Sequence, residues 1–186
     1  VLAAGLDAKD AVVGNQVGDA QAAIAAAPRK LEAVYAYPHQ NHATMEPMNA
    51  TARWTPERCE VWTPTQNGEA ALAATSEAAG LPQAKCDVYK LPLGGGFGRR
   101  GAVHDWVRQA VAIAKELPGV PVKLVWSREE DMQHDRFHPR TQCKLVAGLD
   151  GDGNVTGFHM RLVGQSIIAG FAPQNLKGDG KDPQMF

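Results

Sequence analysis

Three kinds of pattern are absent from this 186-residue sequence, and each absence excludes a class of protein. Its three cysteines, Cys59, Cys86 and Cys143, form no C-x-x-C pair, so neither a disulfide framework nor a cysteine zinc site is indicated. The 19 basic residues balance the 20 acidic ones, so no basic surface points to nucleic acid. No apolar run approaches the roughly 20 residues of a membrane span.

Apolar periodicity switches between the helical and the extended repeat, which predicts an α+β fold with a mixed β-sheet and packed helices. Helices are expected at residues 18–28, 67–79 and 104–117. Strands are expected at residues 30–37, 50–54, 59–65, 84–93 and 121–127, followed by a hairpin of residues 140–150 and 153–166.

Burial is expected to follow the same periodicity. Residues 30–37 alternate so that one face of a strand is well buried, and the three cysteines are interpreted as small buried residues. In the third helix a buried stripe is expected, made of Trp106, Ala110, Ile113, Ala114 and Leu117.

The stretch LPLGGGFGRR, residues 91–100, lies between an expected strand and an expected helix. Glycine loses the most backbone freedom on folding, so four glycines around Phe97 need a compensating role. A dinucleotide-binding G-x-G-x-x-G fits residues 96–101 only formally, because the acidic residue expected about 20 positions later falls inside the next helix. The phosphate-loop pattern fails, because Ala102 and Val103 follow Gly101.

Two interpretations of the glycine loop remain open from the residues alone. Successive backbone N–H groups without Cβ atoms form a donor surface for an anion or a metal-bound oxygen, with Arg99 and Arg100 adding charge. The alternative is a non-catalytic α+β module whose loop binds a phosphate-bearing ligand or serves packing alone.

Three segments together resemble a known family. They are QNHATMEPMNATA (residues 40–52), GGGFGRR (residues 94–100) and WSREEDMQHDRFHP (residues 126–139). In this order they are similar to the molybdopterin-binding large subunit of the molybdenum hydroxylases, the xanthine dehydrogenase and aldehyde oxidase superfamily. The amino-acid sequence of the first segment is most similar to the isoquinoline 1-oxidoreductase β-subunit branch.

The resemblance implies roles for particular residues. Gln40 matches a glutamine whose amide hydrogen-bonds the oxo group of molybdenum, a task suited to a donor without a titrating charge. Gly95, Gly96, Phe97 and Gly98 match the loop beside the metal and the pterin, and Arg99 is included with this cofactor-binding loop. Some family members carry an acidic residue where this chain has Gly101, and Arg99 and Arg100 replace a Gly-Lys pair of the xanthine-oxidising members. A purine substrate is therefore not expected.

The same resemblance implies the wider chemistry. The cofactor is molybdopterin, expected in a dinucleotide form, with iron–sulfur clusters on a small [2Fe–2S] partner subunit. The expected activity is oxidation of an N-heteroaromatic or aldehyde substrate with water-derived oxygen. The family's catalytic glutamate belongs to a G-x-G-E motif that these 186 residues lack. We therefore expect a fragment of a longer subunit, inactive alone, with no assignable compartment.

Within the chain, residues 1–28 are expected to be a linker and a short helix that precede the domain. Residues 29–170 are expected to form the first part of the molybdopterin-binding domain, and residues 171–186 a weakly structured tail. Glu46 is interpreted as a structural carboxylate that bonds backbone donors or an arginine. His134 and His138 have H-x-x-x-H spacing, but Pro139 disfavours the helix that metal binding would require.

Overall fold

A computed structural model of the chain describes residues 2–176 and residue 182. Two short 3-10 turns, Gln83–Lys85 and Pro173–Asn175, accompany the helices and strands. In chain order, these are α1 (Leu2–Gly5), α2 (Ala20–Ala26), β1 (Arg29–Tyr37), β2 (Asn49–Trp54), β3 (Cys59–Pro64), α3 (Gly68–Ala79), β4 (Cys86–Leu91), α4 (Asp105–Lys115), β5 (Val122–Val125), α5 (Arg128–Gln133), β6 (Thr141–Leu149), β7 (Val155–Gly164) and α6 (Ile167–Phe171).

These elements form two compact units. Residues 1–40 and 138–186 make the first unit, and residues 41–137 make the second. Each unit contains a β-sheet and helices, which confirms the α+β class. The expected boundaries at residues 28 and 170 stay a prediction.

Part of the tail expected at residues 171–186 cannot be compared with the fold. Residues 177–181 and 183–186 lie outside the described residues. The described part of this stretch contains the end of α6 and the second 3-10 turn.

The first unit contains an antiparallel sheet in the order β1-β6-β7. The predicted hairpin of β6 and β7 is confirmed, and Asp150 closes it by accepting the N–H groups of Asp152 and Asn154. Helix α2 lies within the expected range 18–28, and Asp19 caps it because its carboxylate accepts the N–H of Ala22. This helix packs directly over Gly148 and Gly157, where the absence of Cβ atoms allows the close approach.

Strand β1 is where predicted, but the expected burial of its apolar face is wrong. Leu31 and Tyr35 are each at least half exposed. Helix α2 covers the opposite face of the sheet, which carries Gly148 and Gly157. Cys143 is likewise only half-buried, whereas the burial of Cys59 and Cys86 is confirmed. Alternation in the sequence therefore identified the apolar face without showing whether it is covered.

The second unit contains a mixed sheet in the order β4-β3-β2-β5. Strands β3 and β4 are parallel, with α3 as the crossover between them, and the other pairs are antiparallel. Helix α3 has the predicted ends, since Asn67 caps its first turn and Gly80 takes the left-handed conformation after it. Because β3 and β4 are parallel, the segments that follow them leave the sheet at the same edge. The glycine loop follows β4 at that edge.

Helices α3 and α4 pack with this sheet around an apolar core that includes Met48, Val61 and Trp106. The expected stripe on α4 is wrong for Ile113 and Leu117, which are about half exposed. The buried residues of α4 are Trp106, Val107, Ala110, Val111 and Ala114. The two valines rotate the buried face, and the helix ends at Lys115, before Leu117.

Within the described residues, every helix is too short or too polar to cross a lipid bilayer.

The close packing of α2 on β7 predicts that Gly157→Ala destabilises the chain. The added Cβ would lie 2.9 Å from the Cβ of Ala23 and 3.0 Å from the N of Ile24. We expect a loss of about 1–3 kcal/mol in the free energy of unfolding, measured by urea denaturation. The control is Gly151→Ala, because nothing lies within 4 Å of a Cβ there. Equal midpoints for the two variants would contradict this packing role.

Candidate functional site

The glycine loop, residues 94–100, combines an unusual backbone with an exposed ring. Gly95 and Gly98 have φ of 102° and 104°, and Phe97 between them has φ of 54°. A left-handed conformation costs a residue with a Cβ about 1–2 kcal/mol. The Phe97 side chain is nevertheless 67% exposed, so burial of the ring does not offset that cost.

Successive N–H groups of the loop differ in whether they are bonded within the protein. The N–H of Gly94 donates to Glu46 and that of Gly98 to Gln66. In the described part of the chain, the N–H groups of Gly95, Gly96 and Phe97 have no hydrogen-bond partner. Gly96 is buried, Gly95 is partly buried and Phe97 is exposed. Consecutive N–H groups without an internal acceptor are the kind of donor set that binds oxygen atoms of an anion or ligand.

Glu46 supports the start of the loop, which confirms its structural interpretation. Its carboxylate accepts the N–H of Gly94 at 2.9 Å and the side-chain amide of Asn49 at 2.9 Å. It also pairs with the Arg100 guanidinium at 3.2 Å. A side chain at residue 94 would collide with the Cβ of Glu46, so the site requires glycine there.

Gln66 supports the middle and end of the loop, and the sequence analysis missed it. Its side-chain oxygen accepts the N–H groups of Gly98 at 3.0 Å and Arg100 at 3.2 Å. A Cβ on Gly96 would lie 2.5 Å from this oxygen. The available signal was a polar residue just after buried strand β3, whose parallel neighbour β4 leads into the glycine loop.

Arg100 is fully buried and ties the loop to the segment around Glu46. Its guanidinium donates to the carbonyl oxygens of Gly95 at 2.9 Å and Glu46 at 2.6 Å, in addition to the carboxylate pair. Burial lowers the pKa of Arg100 because it disfavours the charged form, and the nearby Glu46 carboxylate opposes this shift. The charge of Arg100 is therefore satisfied inside the protein.

Arg99 is also buried, between two tryptophan rings. The guanidinium carbon lies 5.4 Å from the ring centroid of Trp106 and 5.7 Å from that of Trp126. Its nitrogens pair with Asp105 at 2.9 Å and Asp135 at 3.1 Å. The charge that the sequence offered for a phosphate is thus used within the fold at both arginines.

Asp135 connects Arg99 to His42. One carboxylate oxygen accepts the backbone N–H of His42 at 2.5 Å, and the other lies 2.9 Å from the ring Nδ1. The His42 ring faces the loop, because its Nε2 lies 3.8 Å from the position of a Cβ on Gly98. The segment after Gln40 and the end of the glycine loop therefore share one buried carboxylate.

The other predicted polar residues have partners of their own. His134 pairs with Glu130 in the second unit, and His138 belongs to the first unit. In the described ranges, no group of three or more His, Cys, Asp or Glu side chains is placed to hold a metal ion. Gln40 lies in the first unit, where its carbonyl accepts the N–H of His138 at 2.8 Å, so its predicted role near the loop stays a prediction.

Comparison with known proteins identifies a family and individual relatives of this chain. Residues 6–169 match the model of a family described as the molybdopterin cofactor-binding domain. Over 71% of its length the chain is 29% identical to the β subunit of isoquinoline 1-oxidoreductase from Brevundimonas diminuta, and it covers 17% of that protein. Over 76% of its length it is 27% identical to the molybdenum-binding subunit of an aldehyde oxidoreductase from Escherichia coli (strain K12), of which it covers 19%.

A solved structure shows the same fold. Quinoline 2-oxidoreductase from Pseudomonas putida 86 superposes with a TM-score of 0.60 at 20% identity, over 77% of this chain and 18% of that one. The chain thus spans less than a fifth of the length of each of these three proteins.

The internal bonding of Arg100 predicts a large stability loss for Arg100→Met. The substitution leaves the Glu46 carboxylate and the Gly95 carbonyl without their buried donor. We expect a loss of about 3–5 kcal/mol by urea denaturation. The control is Arg108→Met, which breaks an exposed pair with Glu77 and should cost under about 1 kcal/mol. If the two variants unfold alike, Arg100 does not anchor the loop.

Proposed function

The chain belongs to the molybdopterin cofactor-binding domain family, and we propose that its glycine loop holds the cofactor of a molybdenum hydroxylase. One observation carries this proposal: the three consecutive N–H donors of Gly95, Gly96 and Phe97 have no partner among the described residues. The other N–H groups of residues 94–100 are bonded internally, so these three are the loop donors left for a ligand to bind.

The residues of the loop fit an oxygen-rich ligand. Gly95 and Gly96 carry no Cβ beside their unpaired N–H groups, and Gln66, Glu46 and Arg100 fix the backbone that carries them. A preorganised donor does not reorganise when its ligand binds, which strengthens the interaction. When bound, the molybdenum cofactor supplies a Lewis acid and activates a water-derived oxygen.

Other predicted residues have distinct tasks in this proposal. Gln40 would hold the cofactor by donating from its side-chain amide, which carries no charge, to a metal-bound oxygen. The exposed Phe97 ring forms part of the wall beside the cofactor. Arg99 contributes indirectly, since its buried guanidinium holds the end of the loop through Asp105 and Asp135.

The wider activity follows from the same family membership. We propose that the whole subunit oxidises an N-heteroaromatic or aldehyde substrate, as the names of the relatives describe for those proteins. The catalytic glutamate then lies outside this chain, because no G-x-G-E motif occurs in its 186 residues. Its partners are the remaining domains of the subunit and a small [2Fe–2S] subunit that accepts the electrons.

The alternative function, binding of a phosphate-bearing ligand by a non-catalytic module, has less support. Phosphate sites in proteins commonly use arginine as a bidentate donor. Both arginines of this loop are buried and paired with carboxylates of the second unit. Only backbone donors remain for a phosphate.

The cofactor role predicts that Gly96→Val in the intact subunit lowers molybdenum content. The side chain would displace Gln66 and shield the donors of the loop. We expect the molybdenum-to-protein ratio, measured by elemental analysis, to fall by at least about tenfold. The control is Gly151→Val, at a position with open space around it. A normal ratio in a folded Gly96→Val subunit would contradict the proposal.

The role of Gln40 predicts a different result. Gln40→Ala removes an amide donor and should slow single-turnover reduction by about 10²–10³ fold while molybdenum content stays within a factor of two. Rapid-mixing spectroscopy of the holoenzyme checks the rate. Gln83→Ala is the control, because Gln83 lies before β4, at the end of the strand opposite the glycine loop. Unchanged reduction by Gln40→Ala would remove this residue from the site.

A further inference from the structure

The sheet of the first unit has one face made of apolar side chains that remain exposed. Three rows of paired residues form this face, called here the open face: Leu31, Ala147 and Phe158; Ala33, Leu145 and Met160; Tyr35, Cys143 and Leu162. The five large side chains on the two outer strands are between 41% and 57% exposed. No charged residue belongs to these three rows.

The other face of the same sheet is the more polar one, and α1 and α2 cover part of it. Helix α2 packs on Gly148 and Gly157, and Arg161 donates to the carbonyl oxygens of Leu6 and Ala8 beside α1. Glu32 and Lys144 form an ion pair on this polar side. An antiparallel sheet with one solvated face normally places its apolar side chains toward the helices. Here the pattern is reversed.

We propose that the open face is a permanent interface for an apolar surface contributed by the rest of the same subunit. The chain covers only 17% and 19% of the two relatives described above, so most of such a subunit lies outside it. This inference rests on the proposed function only in taking the chain as part of a larger subunit. It does not depend on the glycine loop.

The composition of the open face favours a permanent partner over one that binds and dissociates. Interfaces between proteins that also exist alone keep some charged residues and have a polar rim. Permanent interfaces are more apolar and resemble the hydrophobic core of a domain. All nine residues of the open face are apolar or weakly polar, and its three central residues, Ala147, Leu145 and Cys143, are uncharged. A contiguous patch of this kind promotes aggregation when it stays in water.

Cys143 provides a native probe at the centre of the open face. It is half-buried, whereas Cys59 and Cys86 are buried. Burial raises the pKa of Cys59 to about 12 and also raises that of Cys86, which suppresses their thiolates at neutral pH. Labelling with a small maleimide therefore reports Cys143, and the Cys143→Ala variant gives the background.

The first experiment compares the intact native subunit with the 186-residue chain. We expect Cys143 in the intact subunit to react at least about tenfold more slowly than in the chain alone, because access then requires local opening. Equal rates would overturn the proposal. Slow labelling of the isolated chain, with the mass of a dimer by light scattering, would assign the open face to a second copy and also overturn it.

A second variant tests the same surface without the thiol. Met160→Lys should lower the thermal midpoint of the intact subunit, because it buries a charge, and leave the urea midpoint of the isolated chain unchanged. An intact subunit that tolerates the lysine would contradict the interface. The molybdenum-to-protein ratio is measured on the same preparations. A subunit without molybdenum but with protected Cys143 would remove the proposed function and support the interface.

Discussion

The candidate site depends on the buried guanidinium of Arg100. This group bonds the Gly95 carbonyl inside the loop and the Glu46 carbonyl and carboxylate outside it. Buried arginine charges are costly unless every donor finds an acceptor, so the loop and the segment around Glu46 must keep one relative position. Gln66 holds the other end, so the backbone between Gly95 and Phe97 is fixed although its own N–H groups have no partner among the described residues. Side-chain contacts from Arg100, Glu46 and Gln66 therefore hold this backbone in place.

Local signals in the sequence predicted most of the helices and strands, because caps and turns act over a few residues. Asp19, Asn67, Gly80 and the Asp150 turn are where their chemistry required. Sheet neighbours were less accessible. Nothing near Gln66 in the sequence shows that β3 pairs in parallel with β4, and that pairing alone brings Gln66 to the glycine loop. A long-range contact of this kind produces no periodic pattern in the sequence.

Charge and burial were the properties that the sequence predicted least well. Arg99 and Arg100 read as cations for a ligand, but carboxylates distant in sequence pair with both. On α4, Val107 and Val111 rotated the buried face away from Ile113. Alternation in β1 named the apolar residues correctly but could not show which face of the sheet the helices cover. In each case, charge pairing or burial is determined by residues of another helix, strand or loop. A local sequence pattern therefore cannot predict it.

The left-handed backbone of Phe97 has a consequence for engineering. Glycine or asparagine adopts this conformation with less strain. Either substitution should therefore raise the free energy of unfolding, because the exposed ring contributes little stabilisation through burial. A screen for heat tolerance would therefore tend to select against the aromatic residue at this position. Selection for activity acts in the opposite direction if the ring contacts the cofactor or substrate. Stability and catalysis then compete at a single torsion angle.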